Sequence, residues 1–108
     1  MSKSESFVRI AMSFAGTVSA PHFDRTAFKV KRTFATLAAD GQSANLNFTP
    51  EEQHMQCLLA PDIFSPVDNG WGQQGWTTML IEPATEADIS AALTMAHAHA
   101  VGKPRPKI

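Results

Sequence analysis

The chain of 108 residues contains one cysteine, Cys57, no tyrosine and no long apolar run. A single cysteine excludes a disulfide within the chain and is typical of a reducing compartment. No apolar stretch reaches the roughly 18 residues that a membrane span needs. Arg9 also interrupts the N-terminal segment in which a secretion signal would need its apolar core. We therefore expect a cytoplasmic protein without a membrane-spanning segment.

Lysine and arginine are missing from residues 33–102, a stretch that carries eight of the ten acidic residues. The net charge of −1 therefore conceals a strong segregation of charge along the chain. Such segregation produces a local basic patch when the fold brings the cations together. It also arises by chance in a short chain, and the sequence leaves both interpretations open.

The remaining composition is that of a folded domain. Hydrophobic residues make up 44% of the chain and charged residues 18%, which is typical of globular proteins and not of disordered ones. The length suits one domain with one two-layer core. Alternating prolines near the C-terminus favour an extended end. We expect a single domain over residues 1–102, followed by a basic, proline-containing, flexible tail over residues 103–108.

Three segments carry the signal of a helix start, a hydroxyl residue followed three positions later by a carboxylate. In the second of them proline occupies the first helical position, where its missing N–H is not needed. Gly102 provides a stop for the third helix. The predicted helices cover residues 2–14, 49–60 and 85–101.

Alternation of apolar and polar residues predicts strands at residues 27–30, 33–39 and 44–48, and a run with an apolar residue or threonine at every position predicts a buried strand at residues 76–81. Lys31-Arg32 joins the first two in a hairpin with a basic tip, and a short extended piece is expected near residues 65–67 within a long loop. Residues 17–25 are predicted to be a loop. The fold class is α+β, a two-layer sandwich with an antiparallel sheet of about five strands and helices packed on one face.

The periodicity also predicts which side chains lie in the core. On the second helix the inward stripe is expected to be Met55, Leu58 and Leu59. The residues expected to be mostly buried are Phe7, Ile10, Phe14, Phe28, Val30, Leu46, Phe48, Leu58, Leu59, Trp76, Leu80, Ile89 and Leu93.

Residues suited to catalysis or metal binding form no convincing set. His54 and Cys57 share a helix face at a spacing of three, but no third group orients them, so a buried structural cysteine is the favoured interpretation. His97 and His99 are two positions apart and point to different sides of a helix. We predict no enzyme activity, no metal and no cofactor.

Several segments together resemble the MmcQ/YjbR family over roughly residues 5 to 101. The most specific is Gly70-Trp71-Gly72-Gln73-Gln74-Gly75-Trp76-Thr77; the others are Pro21-His22-Phe23, Phe28-Lys29-Val30 and Thr33-Phe34-Ala35-Thr36-Leu37. The resemblance implies a small bacterial protein with a compact antiparallel sheet flanked by helices, often described as DNA-binding. It implies no catalytic residues.

Two hypotheses for the function follow, both of a binding module. The first is weak, sequence-tolerant DNA binding through the cations Arg25, Lys29, Lys31, Arg32, Lys103, Arg105 and Lys107. The second is binding of a protein partner or a small ligand through Trp71, Trp76 and the sheet face that no helix covers. Trp71 has a structural alternative, as a lid over the edge of the core.

Overall fold

The computed structural model describes residues 2–102, so the predicted tail with Lys103, Arg105 and Lys107 lies outside the described residues. Within that range four helices accompany one antiparallel sheet, and the predicted α+β class is confirmed. The elements are α1 (Lys3–Ser13), β1 (Val18–His22), β2 (Arg25–Lys29), β3 (Thr33–Ala38), β4 (Ser43–Asn47), α2 (Pro50–Leu59), β5 (Phe64–Pro66), α3 (Gly70–Gln73), β6 (Trp76–Leu80) and α4 (Glu86–Val101).

The strands form one antiparallel sheet in the order β1-β2-β3-β4-β6-β5. It has six strands where the sequence predicted about five. Strands β1 to β4 form a meander, and β6 then inserts between β4 and β5. This arrangement places β1 at one edge of the sheet and β5 at the other.

The core lies between the sheet and the helices α1 and α4. Directly paired residues of neighbouring strands point to the same face of the sheet. One row of such residues crosses four strands and is fully buried: Phe28, Ala35, Leu46 and Thr77. Ile89 and Leu93 on α4 are fully buried, as predicted.

A β-bulge gives the core one further aromatic side chain. The pairing of β2 with β3 steps from Phe28–Ala35 to Lys29–Thr33, which leaves Phe34 as the extra residue. The Phe34 ring is fully buried and meets the rings of Phe14 and His97 edge to face, with centroids 6.1 and 5.5 Å away. Thr33 consequently stays on the opposite face of the sheet.

The three predicted capping boxes all form. Ser2, Thr49 and Thr85 each accept a hydrogen bond from the backbone N–H three residues later, and the carboxylate at that position accepts one from the N-cap N–H. Gly102 ends α4 with a left-handed backbone at φ 68°. Among residues 2–102 no helix is long and apolar enough to cross a membrane.

The predicted inward stripe of α2 is wrong, because Met55, Leu58 and Leu59 are all exposed. The opposite side of the helix packs on the sheet: Glu52 is buried, and Gln53 donates from Nε2 to the carbonyl oxygens of Gly72 and Trp76, each over 2.9 Å. The two hydrogen bonds of Gln53 therefore fix the rotation of the helix, and its apolar stripe is left in solvent.

Three further sequence predictions fail. Residues 18–22 form the edge strand β1, where a loop was predicted; all five side chains are exposed, so no alternation marks them. The predicted long loop contains the short helix α3. Leu80 is exposed because β6 alternates, with Thr77 and Met79 facing the core, and Trp76 on the same side as Leu80 is only partly buried.

Candidate ligand cleft

The sheet face opposite α1 and α4 carries a cleft of about 710 Å³. Its floor is polar: Thr36 on β3 pairs with Asn45 on β4, and Asn45 pairs with Thr78 on β6. Asn47 and Trp76 form the next pair along β4 and β6 on this face. The side chains lining the cleft include Phe23, Arg25, Arg32, Thr33, Thr36, Asn45, Asn47, Trp71 and Trp76.

Arg25 is fixed across the floor by two hydrogen bonds. From β2 it donates from Nε to the Thr36 hydroxyl over 2.8 Å and from Nη2 to the Thr36 carbonyl oxygen over 3.3 Å. A guanidinium has five N–H donors, and these two bonds use two of them. The cation is therefore held in place with donors still available to a bound molecule.

Asn45 and Asn47 present amide groups beside that guanidinium. The Thr78 hydroxyl donates to Asn45 Oδ1 over 2.9 Å, which orients the amide and leaves its NH₂ group for another partner. Asn47 donates from Nδ2 to the Thr33 carbonyl oxygen over 3.5 Å, which leaves its own Oδ1 as an acceptor. The floor thus offers donors and an acceptor at fixed positions.

Two tryptophan rings form one wall of the cleft. Trp71 and Trp76 meet edge to face with ring centroids 6.5 Å apart, and Trp71 is 59% exposed. An exposed position is inconsistent with a lid over the core edge. Asn69 caps α3 by accepting a hydrogen bond from the Trp71 N–H over 2.8 Å, which holds the ring-bearing residue in place.

Close backbone contacts require glycine at two positions beside the tryptophans. A Cβ on Gly72 would lie 1.9 Å from the Val67 carbonyl oxygen, and one on Gly75 would lie 2.1 Å from that of Phe48. Gly75 also has a φ of +112°, which disfavours other residues. The Trp-Gly-x-x-Gly-Trp segment therefore specifies close packing of α3 against its neighbours, and that packing positions the two rings.

At the hairpin tip between β1 and β2, Phe23 lines the cleft in an unusual state. Its side chain is 93% exposed, and its backbone is left-handed, with φ 58°. Bulky residues rarely adopt this conformation, and a fully exposed phenylalanine gains nothing from the core. Sequence analysis did not single out Phe23 as a site residue, since neither burial nor backbone angle is visible in the sequence.

The predicted cations divide between the cleft and open solvent. Arg25 and Arg32 both line the cleft, with Arg25 half-buried and Arg32 exposed, whereas Lys29 and Lys31 are exposed and do not line it. Arg32 is also tied to α4, because its Nη2 donates to the His99 carbonyl oxygen over 2.9 Å. Lys29 pairs across the strands with Thr33, at the margin of the cleft.

Within residues 2–102 the two arginines of the cleft form no salt bridge with a carboxylate. Among residues 2–102 the only salt bridge joins Arg9 to Glu86 on the helical side. Asp24 lines the cleft and gives it one negative charge against the two guanidinium groups. The cleft therefore carries a positive balance, which favours anionic molecules.

Chemistry elsewhere in the described part of the chain is limited. No group of three His, Cys, Asp or Glu residues within residues 2–102 is placed to hold a metal ion. Partial burial raises the pKa of the Cys57 thiol, so the reactive thiolate is disfavoured, and Cys57 does not line the cleft.

Comparison with known proteins identifies the fold. The sequence matches no protein-family model and no curated protein. A solved structure, that of Deinococcus radiodurans protein DR2400 with the family domain DUF419, is similar with a TM-score of 0.80. The match has 15% sequence identity and covers 99% of this chain and 84% of that one. The two proteins share a fold.

Proposed function

We propose that this chain is a non-catalytic binding module of the MmcQ/YjbR type whose ligand site is the cleft on the helix-free face of the sheet. The fold supports the family assignment, since the similar structure carries a DUF419 domain and DUF419 is related to the YjbR/MmcQ fold. The family resemblance also suggests a bacterial protein, and the single cysteine favours the cytoplasm.

The single observation that carries the function is the composition of the cleft. It combines a fixed polar floor with an aromatic wall on a face that no helix covers. Ligand sites typically enclose about 300–1,000 Å³ and have a few well-placed polar groups beside apolar ones. A cleft of about 710 Å³ falls in this range, which favours a small ligand over a protein partner.

The test is a screen of small molecules by amide chemical shifts of the labelled protein. Binders are expected to shift the signals of Thr36, Asn45 and Trp76, and to leave those of α1 unchanged. Asn45→Ala should weaken the binding of the same compounds, because it removes an oriented amide from the floor of the cleft. Ser90→Ala, on the exposed side of α4, is the matched control. Binders that act only on the helical side would contradict the proposal.

DNA binding is a second candidate, favoured by the exposed lysines at the margin of the cleft. Lys29 pairs with the cleft residue Thr33, and Lys31 lies two positions further along the hairpin. Arg25 and Arg32 are anchored beside the cleft by hydrogen bonds to Thr36 and to α4, so we assign contacts with a DNA backbone to the lysines. We propose that any contact is weak and rests on these lysines and on the cationic tail.

The salt dependence of binding tests this candidate. Each neutralised phosphate contributes a slope of about 0.9 in the log–log plot for duplex DNA, so Lys29→Ala with Lys31→Ala should flatten the slope by about 1.8. Lys3→Ala serves as the control, since Lys3 donates to the Glu82 carbonyl oxygen on the helical side. Absence of binding at low salt would remove this candidate and leave the small-ligand proposal intact.

A further inference from the structure

We infer that the ligand of the cleft is a planar heteroaromatic ring linked to an anionic group, the chemistry of a nucleoside monophosphate. This inference rests on the proposed function, because it names the class of molecule that the same cleft binds. It draws on three features of the cleft: two arginines that form no salt bridge within residues 2–102, an exposed tryptophan, and the spacing between them.

The anionic part follows from Arg25 and Arg32. Each is anchored through Nε and Nη2, Arg25 on Thr36 and Arg32 on the last carbonyls of α4. Each Nη1 group remains for a ligand, and neither cation forms a salt bridge with another residue of the described part of the chain. Guanidinium groups fixed in advance bind phosphate or carboxylate without losing much side-chain entropy.

The aromatic part follows from Trp71. It meets Trp76 at an interplanar angle of 89°, with ring centroids 6.5 Å apart, and its side chain remains 59% exposed. An exposed indole face offers a stacking surface for a planar ring. The spare donor of Asn45 and the spare acceptor of Asn47 lie on the floor beside this wall, and such a pair suits the hydrogen-bonding edge of a heterocycle.

The spacing requires both parts in one molecule. Arg25 is held over Thr36 on β3, while Trp76 stands on β6, two strands away in the sheet order. Two strand spacings amount to roughly 10 Å. Inorganic phosphate or a bare ring therefore reaches only one of the two features, whereas a nucleotide places its base and its phosphate at opposite ends.

Intrinsic fluorescence provides a direct assay. The chain has two tryptophans and no tyrosine, and both tryptophans line the cleft. The probes are adenosine 5′-monophosphate, adenosine, ribose 5-phosphate and inorganic phosphate, titrated against the wild-type chain. We expect the monophosphate to quench the emission and to bind at least about tenfold more tightly than each of the other three, the equivalent of one strong contact.

Two variants separate the contributions of the ring and the anion. Trp71→Ala should lower the affinity for the monophosphate by roughly 5- to 100-fold, the usual effect of losing one stacking partner. Arg25→Gln should lower the affinity for the monophosphate and leave the affinity for adenosine unchanged. Leu58→Ala and Arg9→Gln are the matched controls, since both residues are exposed and lie outside the cleft. Thermal unfolding of each variant verifies that it is folded.

The outcomes distinguish this inference from the proposed function. If the cleft binds non-aromatic or uncharged compounds in the chemical-shift screen but not the monophosphate at millimolar concentration, the inference is overturned and the proposed function stands. Binding of single-stranded DNA without binding of the monophosphate also overturns it. If all binders act outside the cleft, both fail.

Discussion

The guanidinium of Arg32 donates from Nη2 to the carbonyl oxygen of His99 over 2.9 Å, and its Nε lies 3.4 Å from that of Ala100. These carbonyls belong to the last turn of α4, beyond the regular hydrogen bonds of the helix, and that of His99 also accepts a hydrogen bond from the Gly102 N–H over 3.1 Å. The cation also faces the negative end of the helix dipole. The hairpin between β2 and β3 is thus attached to the closing helix.

Replacement of Arg32 should therefore destabilise the protein. We expect Arg32→Ala to lower the free energy of unfolding by about 1 kcal/mol, through the lost charged hydrogen bond and dipole interaction. Urea denaturation measures the change. Lys31→Ala is the matched control, since Lys31 is exposed and has no hydrogen bond to the described residues; it should stay within about 0.5 kcal/mol of the wild type. Equal effects would show that Arg32 contributes only its charge.

Two leucines on different helices provide a test of the core. Leu93 on α4 is fully buried, whereas Leu58 on α2 is 68% exposed. Leu93→Ala should cost about 2–5 kcal/mol, because it removes buried apolar surface and leaves a cavity. Leu58→Ala should change the stability by less than about 0.5 kcal/mol. Denaturant midpoints compare the two, and a large loss for Leu58 would mean that α2 packs through its apolar stripe after all.

The sequence predicts elements well where local chemistry decides them. Thr85 and Gly102 bound α4, and the apolar stripe of Ile89 and Leu93 faces the core as its periodicity requires. Prediction of α2 fails because its rotation depends on Gln53, whose partners lie 19 and 23 residues further along the chain. No pattern within the helix reveals such contacts.

The site is only partly predictable for a similar reason. Trp71, Trp76 and Arg25 stand out in the sequence as a tryptophan pair and a cation, and the structure places all three in one cleft. Thr36 and Asn45 resemble the polar positions of any half-exposed strand. Only the register that pairs them, and the absence of a helix over them, makes them the floor of a site.

Stability should respond to acid through Glu5. The Glu5 carboxylate accepts a hydrogen bond from the Ser2 backbone N–H. This bond, and to a smaller extent the one with the Ser2 side chain, lowers the pKa of Glu5 from its ordinary value of 4.5. A lowered folded-state pKa stabilises the protein above the unfolded-state value, and this contribution is lost as the pH falls through the folded-state value. The advantage of the wild type over Glu5→Gln should therefore shrink below about pH 4.5.

Thermal unfolding of both proteins between neutral pH and about pH 3 measures this difference. Ser2→Ala provides the control background, since it removes the side-chain half of the capping box. In that background the difference between Glu5 and Gln should depend less on pH. A difference that stays constant with pH in the wild-type background would exclude a contribution from the Glu5 carboxylate.

Phe23 offers a test of strain at the cleft. The two-residue turn Phe23-Asp24 connects β1 to β2, and Phe23 has a left-handed backbone at φ 58°. Two-residue hairpin turns with positive φ at the first position prefer glycine there, because a Cβ in this conformation costs about 1–2 kcal/mol. Phe23→Gly should therefore raise the free energy of unfolding by roughly 1 kcal/mol, less the greater chain entropy of glycine when unfolded.

Phe23→Ala is the matched control, because it removes the ring but keeps the Cβ. Alanine should show no such gain, so the difference between the two variants in denaturant unfolding reports the backbone strain alone. If the exposed ring covers a bound molecule, both variants should lose affinity for adenosine 5′-monophosphate to the same extent. A glycine variant that is more stable than the alanine variant, yet binds the monophosphate more weakly than alanine does, would show that the backbone conformation at this turn serves ligand binding beyond the ring. Equal stability of the two variants would instead mean that the turn tolerates phenylalanine without strain.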